Sequence, residues 1–81
     1  KIDNVMNLNE FIKHFAEQFE DEPLSSFTPA TRFRDIEEWD SLHAMTIMAM
    51  VNEHYKVKIT PEELRNSQTV AEVFEVVKAK V

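Results

Sequence analysis

The stretch Phe33-Arg34-Asp35-Ile36-Glu37-Glu38-Trp39-Asp40-Ser41-Leu42 holds the residues best placed for chemistry. It ends on an acid, a serine and a leucine, and the most apolar part of the chain follows at once. Within residues 42–51 only His43 and Thr46 are not apolar. Asp and Ser are both favoured N-cap residues, because a side-chain oxygen can accept from the free N–H groups of a first helical turn. A helix is therefore expected to start at Asp40-Ser41 and to carry a hydroxyl at its tip. The partial positive charge of such a tip favours a phosphate there. The plainer alternative is that Ser41, or Asp40, does no more than cap the helix.

Catalysis by that hydroxyl has little support. No general base, orienting acid or oxyanion loop is evident around Ser41, so a small serine hydrolase is the weakest reading. His14, His43 and His54 have neither close metal spacing nor a partnered nucleophile, and all three are assigned to the surface. No carboxylate pair stands out as raised by burial. No catalytic residue and no metal site is expected. Cysteine is absent, which excludes disulfides and thiolate metal sites and agrees with a reducing, intracellular setting.

Fifteen acidic residues against nine basic ones give a net charge of −6. The best basic run, Lys56-Val57-Lys58, is far from the stripe that a nucleic-acid partner requires. An anionic membrane surface would repel the chain. The longest apolar run, Ile47 to Val51, falls well short of the ~20 residues of a membrane span. No secretory signal pattern is visible, so a cytoplasmic protein is expected. The charge balance favours partners that present Arg and Lys.

Eighty-one residues make room for one domain, 1–81, with a thin core. Val5, Leu8, Phe11, Ile12, Phe15 and Phe19 recur at helical spacing and predict a first helix over residues 4–20, stopped by Glu22-Pro23. Residues 21–39 form a long connection. Its Leu24, Phe27, Phe33, Ile36 and Trp39 suggest a loop pinned across the helices, the kind of loop that is often functional. The second helix runs from Asp40-Ser41 to about Tyr55. Thr60-Pro61-Glu62-Glu63 reads as a capping box opening a short helix through Leu64. Thr69-Val70-Ala71-Glu72 reads as a second box, opening a last helix with Val70, Val73, Phe74, Val77 and Val81 on one face. Val57-Lys58-Ile59 could pass for a strand but has nothing to pair with. The fold class is all-α, a four-helix bundle of three long helices and one short.

With those elements in place, the chain resembles the acyl carrier proteins over about residues 5–80. Their mark is Asp-Ser-Leu at the start of the second helix, here Asp40-Ser41-Leu42. The likeness extends to the amphipathic first helix and the loop with Phe33-x-Asp35-Ile36. It also takes in the apolar second helix ending in Tyr55, then Val57-x-Ile59, Pro61-Glu62-Glu63-Leu64 and Thr69-Val70. The resemblance implies a non-catalytic monomer that bears 4′-phosphopantetheine covalently on Ser41. A phosphopantetheinyl transferase would install the arm from coenzyme A with Mg²⁺. Acyl- or aminoacyl-loading and processing enzymes would be the further partners, with cargo held as a thioester. The implied docking surface comprises Asp40, Leu42, His43, Met45, Glu37 and Glu38, with His43 near the arm. Leu42 and Met45 can instead be core residues, the reading that such spacing favours for Met45; Ile47 and Met48 are assigned to the core, and Trp39 to anchoring the loop.

The chain also departs from the carriers of fatty-acid synthesis, which usually have several carboxylates along the second helix. Here that helix holds His43, Thr46, Asn52 and His54, with Glu53 its only acid. The negative charge sits ahead of the serine instead, at Asp35, Glu37, Glu38 and Asp40. Trp39-Asp40-Ser41-Leu42 looks more like stand-alone carriers of specialised pathways, such as peptide, polyketide or polysaccharide modification. The alternative from another class is a non-carrier interaction domain whose acidic loop and Met-rich helix bind a basic, apolar peptide.

Overall fold

A computed structural model describes residues 7–81. Four helices account for most of it: α1 (Leu8–Ala16), α2 (Ser41–Tyr55), α3 (Pro61–Asn66) and α4 (Val70–Lys80). Two single turns of 3₁₀ helix, Leu24–Ser26 and Phe33–Asp35, punctuate the long connection, and no strand occurs among the described residues. The all-α four-helix expectation holds. None of these helices is long and apolar enough to cross a membrane.

The first helix is shorter than its periodicity predicts. Val5 and the expected start at residues 4–6 lie outside the described residues. Asn7 is an extended N-cap whose Oδ1 accepts from the Glu10 N–H at 3.1 Å, so the helix starts at Leu8. It closes at Ala16 instead of residue 20. The Glu17 N–H still donates four residues back, to Lys13, but those of Gln18 and Phe19 donate three back, to Phe15 and Ala16, and the tighter turn swings Phe19 into the core.

That core is largely aromatic on one side and β-branched on the other. Phe11, Phe15 and Phe33 are fully buried with Ile47, Val51, Val70, Val73 and Val77. The Phe15 ring lies 5.5 Å from Phe33 and 6.1 Å from Phe11 in tilted arrangements, geometry that adds to simple area burial. Helix α1 packs against α2 and α4, and α2 against α3. Met48 is only partly buried, at the edge of this core.

The long connection is held by specific bonds as well as by apolar anchors. Phe27 and Phe33 are buried, and Ile36 and Trp39 pack against the core, as expected of a pinned loop. Leu24 is a correction: it is exposed on the turn after Pro23, while Phe27 fills the interior position. The carbonyls of Pro29 and Thr31 accept from the Ala71 and Val70 N–H groups at 3.0 and 3.1 Å. The loop thereby satisfies first-turn donors of α4 that have no partner within the helix.

Both Thr caps form. Thr60 and Glu63 exchange reciprocal bonds, Glu63 N–H to Thr60 Oγ1 at 3.0 Å and Thr60 N–H to Glu63 Oε1 at 2.9 Å. The second box is only half as expected. Thr69 Oγ1 accepts from Glu72 N–H at 3.2 Å, but the Glu72 carboxylate reaches back one residue further, to the Gln68 N–H. Val81, expected on the apolar face of α4, lies beyond the helix end and is exposed.

Candidate functional site

Helix α2 begins where its cap dictates. Asp40 is extended, and its Oδ1 accepts from the His43 N–H at 2.9 Å. Asp40 rather than Ser41 therefore makes the cap. Ser41 is the first helical residue and is exposed. Its hydroxyl is left at the tip of a 15-residue helix, in the field that favours an anion.

The acids ahead of the serine do not behave as one patch. Glu37 is exposed, and Asp40 remains more than half exposed. Glu38 turns inward and is only 18% exposed. Its carboxylate accepts from the Glu20 and Asp21 N–H groups, at 2.9 and 3.2 Å, joining the segment that follows α1 to the loop that leads into α2. Glu38 Oε2 also lies 3.2 Å from His43 Nε2, and Asp40 Oδ1 lies 2.8 Å from His43 Nδ1. The imidazole is thus gripped by a carboxylate at each nitrogen and stacks on Phe19 with centroids 4.8 Å apart.

The charges respond to that geometry. The hydrogen bond to Asp40 raises the His43 pKa above the ordinary imidazole value, with Glu38 adding to the effect and desolvation opposing it. The Glu38 pKa is lowered, first by the Glu20 N–H, and that of Asp40 first by the His43 side chain. The imidazolium form satisfies both carboxylates at once, since it donates from both nitrogens.

His43 is therefore 16% exposed and not a surface residue. His14 is a second correction to the surface assignment. It is mostly enclosed, and its ring stacks on exposed His54 with centroids 3.9 Å apart. Leu42 and Met45, by contrast, stand 67% and 61% exposed. For Met45 this corrects the core position that its spacing favours: both side chains point away from the bundle beside Ser41.

Between α2 and α3 a hollow of about 360 Å³ opens beside the serine. Trp39, Ala44, Met45, Met48 and Leu64 give it apolar walls, and Arg34 and Arg65 also line it. No local spacing signals these two arginines. They stand on either side of Ser41 in sequence and come to line one hollow only when the 3₁₀ turn Phe33–Asp35 and α3 are brought together beside α2.

The sequence model of one family, described as "Phosphopantetheine attachment site", matches residues 9–77. No curated protein and no solved structure gives a match. The matched span runs from α1 into α4 and contains every feature of the α2 tip. The chain accordingly belongs to the phosphopantetheine-attachment family, the acyl-carrier type of helical domain that bears 4′-phosphopantetheine covalently on a serine.

Proposed function

We propose that Ser41 is the serine that carries the arm, and that residues 1–81 act as a single carrier domain presenting acyl or aminoacyl cargo to partner enzymes. The observation that carries this reading is the division of labour at the tip of α2. Asp40 takes the cap, so the Ser41 hydroxyl is not needed for the helix and stands exposed. The other serines offer less. Ser67 is buried and donates its hydroxyl to the Glu63 carbonyl at 3.1 Å, while Ser25 and Ser26 sit on an isolated turn.

These residues fit the family's group. An exposed oxygen next to an apolar hollow leaves room for a bulky phosphodiester, and the helix tip favours its charge. The arm would supply a terminal thiol on which cargo is held as a thioester, so a chain without cysteine can perform this role. The chain's own residues position and recognise. Asp40 fixes the start of α2, and Glu38 with His43 fixes the adjoining loop. Leu42 and Met45 supply an exposed apolar contact, with Met suited to varied partners. Asp40 and Glu37 add negative charge toward basic partners, among them the phosphopantetheinyl transferase.

Incubation with coenzyme A, Mg²⁺ and a broad-specificity transferase tests the reading by intact mass. One phosphopantetheine should be added, and Ser41→Ala should abolish the addition. An unchanged mass with several transferases would favour an interaction domain without an arm.

A further inference from the structure

His43 stands two residues beyond Ser41 in the first turn of α2, and three separate segments meet on its ring. Phe19 stacks on it from the segment that follows α1. Glu38 reaches its Nε2 from the long loop while holding the Glu20 and Asp21 N–H groups. Asp40 closes on Nδ1 at 2.8 Å, and the same oxygen, Oδ1, accepts the backbone N–H of His43 in the helix cap. The carboxylate directly before Ser41 is therefore oriented by the ring as well as by the backbone. A neutral imidazole donates from one nitrogen only and would turn the lone pair of the other toward a carboxylate. Both bonds exist together only in the imidazolium. The other groups around the ring agree with that form. Gln18, Glu20, Leu42 and Thr46 line a hollow with Glu38 and His43, and no cation lines it.

We propose that His43 is a positioning residue for arm attachment: its protonated ring holds Asp40 and Ser41 in the arrangement that a phosphopantetheinyl transferase engages. The inference rests on Ser41 being the attachment residue, and it deepens that reading by naming a proton on which loading depends. In the transfer, the Ser41 oxygen bonds to the phosphorus next to the pantetheine of coenzyme A, and adenosine 3′,5′-bisphosphate leaves. The hydroxyl proton passes to the transferase, because both nitrogens of the imidazolium already carry protons. His43 therefore positions and does not act as the base. When the ring loses its proton, one of the two carboxylates is released. Either Asp40 loses its contact with the ring, or the bridge through Glu38 to residues 20 and 21 slackens. In both cases the tip of α2 is held less firmly.

The test measures, by intact mass, how fast one transferase loads the full chain and its His43→Gln variant from coenzyme A, from mildly acidic to alkaline pH. The transferase's own pH dependence cancels in the ratio of the two kcat/KM values. Circular dichroism confirms that both chains are folded at the assay temperature. A glutamine, like a neutral imidazole, carries its donors on one atom only. The wild type should therefore load about fivefold faster in mildly acidic solution, the equivalent of one net hydrogen bond. The ratio should fall toward unity as pH rises through the raised midpoint of His43, followed by ¹⁵N resonances of the wild-type ring. Glu38→Gln is the second variant. Its amide oxygen still accepts from the backbone, but the charge beside Nε2 is gone. The ring midpoint should drop, and the pH at which loading declines should drop with it. A ratio that is flat with pH, or a decline in loading that ignores the ring midpoint, would overturn the positioning role and leave the attachment reading standing. Absence of added mass on the wild type at every pH would overturn the attachment reading and this inference with it.

Discussion

At the residue scale, the tip of α2 is organised around His43, which the sequence marks only as a polar interruption in an apolar run. Its partners Glu38 and Asp40 lie five and three residues away, but the ring that supports it, Phe19, comes from the turn that follows α1. No short motif could reveal that grouping. The pH behaviour follows from the directions of the shifts. His43 has a folded pKa raised above 6.5, so its contribution is complete below that value and fades as pH rises through the raised one. Glu38 and Asp40 have lowered pKa values, so theirs is present above the ordinary carboxylate range and fades on acidification. The cluster is therefore most stabilising in mildly acidic solution, between the two ranges. Thermal midpoints measured against pH for the wild type and His43→Gln should differ most there and converge toward alkaline pH. A gap that stays constant across the titration would contradict the ionised grip. By the same reasoning Asp40→Ala should lower the midpoint by a few degrees, since it removes both the cap and one side of that grip.

At the scale of elements, the signals that came through in the sequence were those satisfied locally. Thr60 and Glu63 lie three residues apart and close on each other wherever that segment goes. Asp40-Ser41 likewise announced the start of α2, and Tyr55 its end. The end of α1 was hidden because its cause is remote. Glu17 to Glu20 are compatible with a helix, yet the Glu38 carboxylate captures the Glu20 and Asp21 N–H groups from 18 and 17 residues away. Tertiary bonding overrides propensity there. A different strain ends α2: Lys56 takes a left-handed conformation, φ 63° and ψ 26°, in a chain with no glycine. Its Cβ is unfavourable in that region. Lys56→Gly should therefore raise stability by about 0.5–1 kcal/mol in urea unfolding, because relief of the left-handed strain outweighs the extra freedom of the unfolded chain. A loss of stability would show that the lysine side chain supports the α2 terminus in some other way.

For the molecule as a whole, a small core and an exposed working edge divide the apolar residues between them. Phe15 is central to the core, with Phe11, Phe19, Phe27 and Phe33 all within 6.2 Å, ring centre to ring centre. Phe15→Ala should cost about 3–5 kcal/mol. Against a total on the order of 4–12 kcal/mol for a chain of this size, that should leave the variant largely unfolded in moderate urea. A wild-type-like midpoint would contradict the packing. Periodicity made most of this core legible, since Phe11, Phe15, Val73 and Val77 fall on faces that only burial explains. It could not separate Met48 from Met45, which sit three residues apart on one apolar helix, the first partly buried against the core and the second exposed. The whole account turns on where the arm is attached. The most direct measurement is digestion of the loaded protein and fragmentation of the modified peptide, with all four serines in competition. The phosphopantetheine should be found on the peptide containing Trp39-Asp40-Ser41-Leu42 and localised to Ser41. Localisation to Ser25, Ser26 or Ser67 would contradict the account.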